Sequence, residues 1–151
     1  ALFAACTEAA AYSVGVSEEE VKLARLLGEY IGICFQIKDD IFDYFDSKEI
    51  GKPTGNDMLE GKLTLPVLYA LNRANDNQAT EIALKVKEGT ATLAEIARLI
   101  AFTKENGGIE YAVRTMNAYK QKAFGLLASL PDSAICVALR SYLDYVVDRE
   151  K

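Results

Sequence analysis

The stretch that decides the fold runs from residue 31 to residue 43 and reads IGICFQIKDDIFD. Its apolar residues recur at intervals of three and four, which is the periodicity of a helix with a buried side. At about 100° per residue, the carboxylates of Asp39, Asp40 and Asp43 project within roughly 100° of one another. Phe35 and Gln36 share that side one turn earlier. The sequence therefore predicts one helix that carries three carboxylates on a single face.

The three carboxylates predict a bound cation. Like charges within one helical turn repel, and the negative end of the helix dipole disfavours each of them by about 0.3–1 kcal/mol. The chain contains no histidine, which argues against Ser-His-Asp catalysis and the usual zinc ligand sets. Oxygen donors favour a hard divalent cation. We therefore expect Mg²⁺ to be held by Asp39, Asp40 and Asp43.

Two alternatives stay open at this helix. The carboxylates could line a solvated surface, although their Ile and Phe neighbours fit that interpretation poorly. Asp144 and Asp148, which have the same spacing near the chain end, are expected to do only that. Gly28 and Gly32 either permit close packing of a neighbouring helix or leave room for a substrate chain.

Helical periodicity continues through the 151 residues, without a convincing strand pattern. Capping boxes at Ser17/Glu20 and Thr92/Glu95 mark two helix starts. We expect a single all-α domain over residues 1–151, with about seven helices. Their approximate bounds are 1–12, 17–45, 63–73, 78–87, 92–106, 109–130 and 133–149. Between the second and third, residues 46–61 contain glycines and a proline, which predicts an irregular, functional loop.

The overall composition limits the partners. The net charge of −5 argues against a nucleic-acid partner, because phosphate backbones require clustered Lys and Arg. No apolar run reaches the length of roughly 18 residues that a membrane span needs. The cysteines at positions 6, 34 and 136 lie among apolar residues, so we expect buried free thiols in a reducing cytoplasm.

Two lysines follow the acidic helix within the glycine-containing loop. Lys52 and Lys62 come directly after the predicted cation site. Lysines in this place are suited to neutralise phosphate oxygens that a magnesium ion does not reach. The combination of carboxylates and lysines indicates a polyanionic ligand.

These residues together resemble a known family. Residues 31–43 resemble the second aspartate-rich motif of trans-polyprenyl diphosphate synthases. The runs GKP at 51–53 and DMLEGKLTLP at 57–66 resemble its continuation in the octaprenyl-like members. The resemblance implies an isoprenoid synthase-type helical bundle, of which this chain is the C-terminal portion. It also implies condensation of isopentenyl diphosphate with an allylic diphosphate.

The same resemblance assigns roles to the acidic and basic residues. Asp39, Asp40 and Asp43 would hold magnesium against the allylic diphosphate. Lys52 and Lys62 would complete the clamp and assist the leaving group. Asp39 and Lys52 would act as catalytic residues.

The resemblance places Phe35 and Gln36 beside the reacting carbons. There, an aromatic face and an amide dipole tolerate developing positive charge. Both residues are therefore predicted to bind substrate.

One departure from the family pattern limits the prediction. The Asp-Asp pair at 39–40 occurs once in the chain, so the first aspartate-rich motif of the family is missing. We expect the chain alone to lack synthase activity and, because half a bundle exposes apolar faces, to self-associate as a dimer. The alternatives are a non-catalytic partner or regulatory subunit of a prenyl synthase and a fragment of a terpene cyclase.

Overall fold

The computed structural model describes residues 1–45, 54–131 and 133–150. Within these ranges the chain is helical and forms no strand, which confirms the all-α class. The described residues form eight helices: α1 (Leu2–Ser13), α2 (Glu18–Phe42), α3 (Asn56–Leu59), α4 (Leu65–Ala74), α5 (Asn77–Glu88), α6 (Leu93–Glu105), α7 (Gly108–Ala128) and α8 (Ala134–Asp148). Seven of them correspond to the predicted helices. The remaining helix, α3, is a single turn within residues 46–61, which were predicted to be irregular.

Two capping boxes start helices as the sequence predicts. At α2, the amide of Ser17 donates to the Glu20 carboxylate at 2.9 Å, and the Ser17 hydroxyl accepts from the Glu20 amide at 3.3 Å. At α6, Thr92 and Glu95 make the same reciprocal pair. A cap of this kind contributes about 1 kcal/mol. Local sequence therefore sets where these two helices begin.

The chain divides into two compact units. The first comprises Ala1–Lys38 and Thr115–Glu150, and the second comprises Asp39–Arg114. The first unit contains α1, α8, most of α2 and most of α7. The second contains the end of α2, helices α3 to α6 and the start of α7. The expectation of a single domain over 1–151 stays a prediction.

The second unit is organised around α6. Helices α4 and α5 both pack against α6, and α3 packs against α5. Tyr44, just after α2, and Met58, in α3, are both buried in this core. Burying a side chain of this size stabilises the fold by about 1.5–3 kcal/mol. These two side chains therefore anchor the described residues on either side of positions 46–53.

In the first unit, α1 lies against α2 at very short range. A Cβ atom added at Gly28 would lie 2.6 Å from the carbonyl oxygen of Phe3. No side chain fits there without a shift of the backbone. Gly28 therefore supports the interpretation in which the glycines of α2 permit close helix packing.

The cysteine prediction is correct for two of the three residues. All three thiols are free; Cys34 and Cys136 are buried, whereas Cys6 is exposed. The prediction for Cys6 was wrong because α1 is rich in alanine, and alanine does not distinguish a buried helix face from an exposed one. Burial raises the pKa of the Cys34 thiol to about 11, so this group stays protonated at neutral pH.

No helix in the described ranges combines the length and the apolar character needed to cross a bilayer.

Candidate metal and diphosphate site

The acidic helix ends earlier than predicted, and this changes the setting of its last aspartate. Helix α2 ends at Phe42 rather than near Phe45. The amides of Tyr44 and Phe45 donate to carbonyls three residues back, each at 3.1 Å, which is the tightened turn of a helix terminus. Asp43 consequently lies just beyond the helix instead of within it.

The three predicted carboxylates occupy three different environments. Asp39 is exposed and Asp43 is partly buried. The Asp40 residue retains only 6% exposure. The three carboxylates are therefore not equally accessible to solvent at this helix end.

Asp43 is held by the backbone of the segment that follows. Its Oδ1 accepts the Asn56 amide at 2.9 Å, and its Oδ2 accepts the Asp57 amide at 3.1 Å. Its carbonyl oxygen accepts the Gly55 amide at 2.9 Å. Helix α3 begins at these residues, and its N-cap, Gly55, has no side chain to offer. Asp43 therefore caps α3 from outside that helix.

Lys62 lies beside a further pair of carboxylates. Its Nζ is 2.6 Å from a Glu60 oxygen and 3.9 Å from an Asp57 oxygen. Burial and the charge of Asp43 raise the pKa of Asp57, while Lys62 opposes the shift. The hydrogen bond that Lys62 donates to Glu60 raises the pKa of Lys62. Lys62 thus supplies a positive charge near the end of α2. The sequence predicted that the carboxylates there need a cation beside them.

Asp57 and Glu60 were missed as members of this cluster. Both stand inside the run DMLEGK at residues 57–62, which was noted only as part of the family resemblance. The charge of Asp39 also contributes to the raised pKa of Asp57, so Asp57 lies within electrostatic range of the predicted ligands. The sequence feature that could have identified them is the closeness of Asp57 and Glu60 to Lys62 in this run.

The donors fit a hard divalent cation in chemistry but not as a complete ligand set. Carboxylate oxygens are the ligands that such an ion prefers. However, both Asp43 oxygens already accept backbone amides. Across residues 1–45, 54–131 and 133–150, no group of three or more His, Cys, Asp or Glu side chains is arranged to hold a metal ion. Asp39 is the exposed carboxylate of the three, and its role as a metal ligand stays a prediction.

The predicted substrate residues Phe35 and Gln36 belong to the first unit. Gln36 is exposed, and Phe35 is partly buried. The Arg149 guanidinium lies 4.3 Å above the Phe35 ring, and its Nη2 donates to the Phe35 carbonyl at 3.4 Å. Phe3 packs beside the same ring, with the centroids 5.4 Å apart. The orientation of Phe35 is therefore fixed by α1 and by the residue that follows α8.

Lys52 lies outside the described residues, as do Gly51 and Pro53. Its predicted role as a catalytic and substrate-binding residue stays a prediction.

An open groove runs along α1 and α2 in the first unit. It has a volume of about 810 Å³, and its lining includes Phe3, Gly28, Gly32, Phe35 and Gln36. Gly28 and Gly32 are among its lining residues, but Thr7 and Phe3 of α1 lie directly above them. The glycines therefore support close packing of α1 on α2, and the alternative of room for a substrate chain stays a prediction.

The second aspartate pair has a partner of its own. Lys120 Nζ lies 2.7 Å from Asp144 and 3.7 Å from Asp148, whose side chains are 52% and 71% exposed. Burial disfavours the charge of Lys120, but the hydrogen bond and charges of the two aspartates outweigh it and raise its pKa. The predicted solvated face is confirmed, with a shared lysine that the spacing did not reveal.

Comparison with known proteins identifies the family. An acidic helix end beside a lysine is suited to bind phosphorylated ligands through a cation. The family model for polyprenyl synthetase matches residues 1–103. The chain belongs to this family.

Several named proteins are similar over nearly the whole chain. Component 2 of the heptaprenyl diphosphate synthase of Geobacillus stearothermophilus is 35% identical over 99% of this chain and 46% of that protein. The octaprenyl diphosphate synthase of Haemophilus influenzae is 35% identical over 98% of this chain and 45% of that protein. The chain thus spans about half the length of the curated relatives it matches.

Solved structures agree with this assignment and with the isoprenoid synthase fold. A geranylgeranyl pyrophosphate synthase from Bacteroides thetaiotaomicron is 78% identical, with a TM-score of 0.94 over 98% of this chain and 49% of that one. A polyprenyl synthase from Caulobacter crescentus, solved with calcium and isoprenyl diphosphate, is 33% identical, with a TM-score of 0.83 over 98% of this chain and 45% of that one.

Proposed function

We propose that this chain supplies the diphosphate-binding C-terminal half of a prenyltransferase that condenses isopentenyl diphosphate with an allylic diphosphate. The observation that carries the proposal is the exposed Asp39 carboxylate at the end of α2, next to a cluster that contains Asp57 and Lys62. The family match supports the reaction class. The calcium and isoprenyl diphosphate of the Caulobacter structure support a divalent cation and a diphosphate ligand.

The roles of the acidic residues are divided in this proposal. Asp39 contributes an oxygen ligand to Mg²⁺, and Asp40 supports the end of α2 from its buried position. When bound, the cation neutralises charge that develops on the diphosphate.

The lysines and the substrate residues act on different parts of the substrate. Lys62, with more than half of its side chain exposed, neutralises phosphate oxygens, and Lys52 is proposed to do the same and to assist the leaving group. Phe35 offers an aromatic face, and Gln36 offers an amide dipole, to the developing allylic cation. Arg149 maintains the orientation of Phe35.

A binding experiment tests this proposal. Calorimetric titration of the 151-residue chain with pyrophosphate should give binding that requires Mg²⁺. Asp39→Ala should weaken it by about tenfold or more, because a charged ligand contact contributes roughly 1.5–3 kcal/mol. Asp148→Ala is the matched control, since it removes an exposed aspartate from another helix end. Pyrophosphate binding that is equal in both variants, or independent of Mg²⁺, would refute the proposed site.

We propose that the 151-residue chain binds the diphosphate but does not catalyse the condensation by itself. Its length is about half that of its curated relatives, and it has a single Asp-Asp pair. Measurable conversion of farnesyl diphosphate and isopentenyl diphosphate to a longer product by the purified chain would overturn this part.

A subunit role is the second candidate, and it is supported by one name. The Geobacillus relative is called component 2 of its synthase, which implies a second component in that enzyme. Synthase activity that appears only when a second protein is added, although both aspartate-rich motifs are present in the parent gene, would favour this candidate. None of the relatives described above is named a terpene cyclase.

Self-association is proposed from exposed apolar side chains. Leu2, Tyr12, Ile135 and Tyr145 are each at least 65% exposed. Exposed apolar surface of this kind marks interaction surfaces. We expect a dimer in sedimentation velocity, and a concentration-independent monomer would contradict it. The cytoplasmic location stays a prediction.

A further inference from the structure

We propose that Asp43 is a positioning residue, which anchors the segment Gly55–Lys62 against the end of α2 and so holds Lys62 in place for the diphosphate. The inference rests on the proposed function in one respect, namely that the ligand is a diphosphate. It assigns Asp43 a different task from that of Asp39. The two share a helix end and a residue type; Asp39 is exposed, and Asp43 accepts the amides of Asn56 and Asp57.

The first step is the cap. A helix as short as α3 (Asn56–Leu59) is marginal by itself, and its first amides have no partner within the helix. Its N-cap residue makes no side-chain hydrogen bond. Both Asp43 oxygens fill that role at 2.9 and 3.1 Å. Hydrogen bonds to a charged group contribute about 1.5–3 kcal/mol, so Asp43 is a principal support of this turn.

The second step links the cap to Lys62. The Asp57 amide donates to Asp43, and the Asp57 carbonyl accepts the Lys62 amide at 2.8 Å. Asn56, the other residue held by Asp43, donates through its side chain to Glu60 at 3.1 Å. Glu60 in turn holds the Lys62 ammonium. Lys62 is therefore connected to Asp43 through both its backbone and its side chain.

The third step concerns geometry at Gly55. This residue has φ +82°, and a Cβ atom there would lie 2.8 and 2.9 Å from Ile100 and Ile96. The backbone is thus pressed against α6 at the point where Asp43 holds it. Turning the Asp43 carboxylate toward a cation would break the bonds to Asn56 and Asp57. The contacts favour an anchor over a ligand.

Hydrogen exchange tests the anchor directly. In Asp43→Ala, the amides of Asn56 and Asp57 should exchange at least about tenfold faster than in the parent chain, because they lose a charged acceptor. Asp43→Asn, which keeps one acceptor oxygen, should give an intermediate result and guards against loss of folding in the alanine variant. Asp39→Ala is the matched control and should leave both amides protected. Unchanged exchange in both Asp43 variants would overturn the proposal.

A double-mutant cycle tests whether Asp43 acts through Lys62. At saturating Mg²⁺, Asp43→Ala should raise the Kd for pyrophosphate about tenfold in the parent chain, but less than about twofold in a Lys62→Met background. A purely stabilising role would not produce this coupling. Additive losses would instead make Asp43 an independent ligand and would overturn the inference. If the parent chain binds no pyrophosphate, the proposed function fails, and the exchange experiment still decides the anchor.

Discussion

Two helix ends in this chain carry aspartates four residues apart, at Asp39/Asp43 and at Asp144/Asp148. At the end of α8, the Lys120 ammonium lies 2.7 Å and 3.7 Å from Asp144 and Asp148. At the end of α2, Asp43 is held by backbone amides at 2.9 and 3.1 Å, and Asp39 is exposed. The spacing is the same in both places. The groups that face the carboxylates are different.

This difference separates a structural pair from a candidate binding site. A lysine shared by two solvated aspartates forms a surface ion pair, which contributes about 0–1 kcal/mol. At the α2 end, backbone amides hold the Asp43 carboxylate and fix a second segment of chain nearby. The α2 end therefore combines a carboxylate held by backbone amides, Asp43, with an exposed carboxylate, Asp39. At the α8 end, both aspartates pair with Lys120.

The largest expected effect concerns the turn that Asp43 holds. Gly55→Ala should lower the free energy of unfolding by about 2–4 kcal/mol, because it adds left-handed backbone strain to a clash with Ile96 and Ile100. Gly89→Ala is the matched control: Gly89 has φ +69° and nothing within 4 Å of an added Cβ, so only the strain of about 1–2 kcal/mol applies. Urea denaturation measures both. Equal losses would show that α3 does not press on α6.

A smaller effect is expected at the α8 pair. Lys120→Met should lower the free energy of unfolding by about 1 kcal/mol or less, because both aspartates remain hydrated and methionine preserves the packing of the stem. The loss should shrink in about 1 M NaCl. Adding Asp148→Asn to Lys120→Met should cost nothing further. A loss of several kcal/mol would mean that this pair is as strongly supported as the α2 end.

A further effect, which depends on pH, is expected at Glu95, whose carboxylate combines both kinds of support. Its carboxylate accepts the Thr92 amide at 2.8 Å and the Lys85 ammonium at 2.7 Å. The hydrogen bond from Lys85 and that from the Thr92 amide lower the pKa of Glu95 to about 2. Since the folded-state pKa lies below the ordinary value, the stabilisation is complete above about pH 4.5 and is lost as the pH falls toward 2.

Thermal unfolding of Glu95→Gln checks the sign of that effect. The Tm difference between the parent chain and the variant should be larger at about pH 6 than at about pH 3. A difference that grows as the pH falls would contradict the lowered pKa.

The fold was predicted well from the sequence because its signals are local. The capping boxes at Ser17 and Thr92 join residues three positions apart, and the helical period is set by neighbours. The predictions were wrong where the structure depends on contacts between residues far apart in the sequence, or where the local pattern is ambiguous. The end of α2 was placed too late, since the tightened turn after Phe42 and the core contacts of Tyr44 are not expressed in periodicity. Cys6 was misplaced because alanine-rich α1 has no clear face.

The binding roles of the candidate-site residues stay predictions, and the contacts among these residues were not predicted. The run from Phe35 to Asp43 and the later Lys62 were identified from chemistry and spacing. That Asp43 bonds to amides 13 and 14 residues away has no signature in a helical projection. The contact between Arg149 and Phe35, 114 residues apart, has none either.

The sequence by itself determined seven of the described helices, the capping boxes of α2 and α6 and the family motif, and it predicts oxygen ligands for a cation. Each of these depends on residue type and on neighbours within about one helical turn. The tertiary structure decided which aspartate is buried, which one caps α3, and which pair is occupied by Lys120. Those outcomes depend on what chain segment faces a carboxylate, and that is fixed by packing between residues far apart in sequence. Identical spacing thus led to an anchor and an exposed carboxylate at one helix end, and to a closed ion pair at the other.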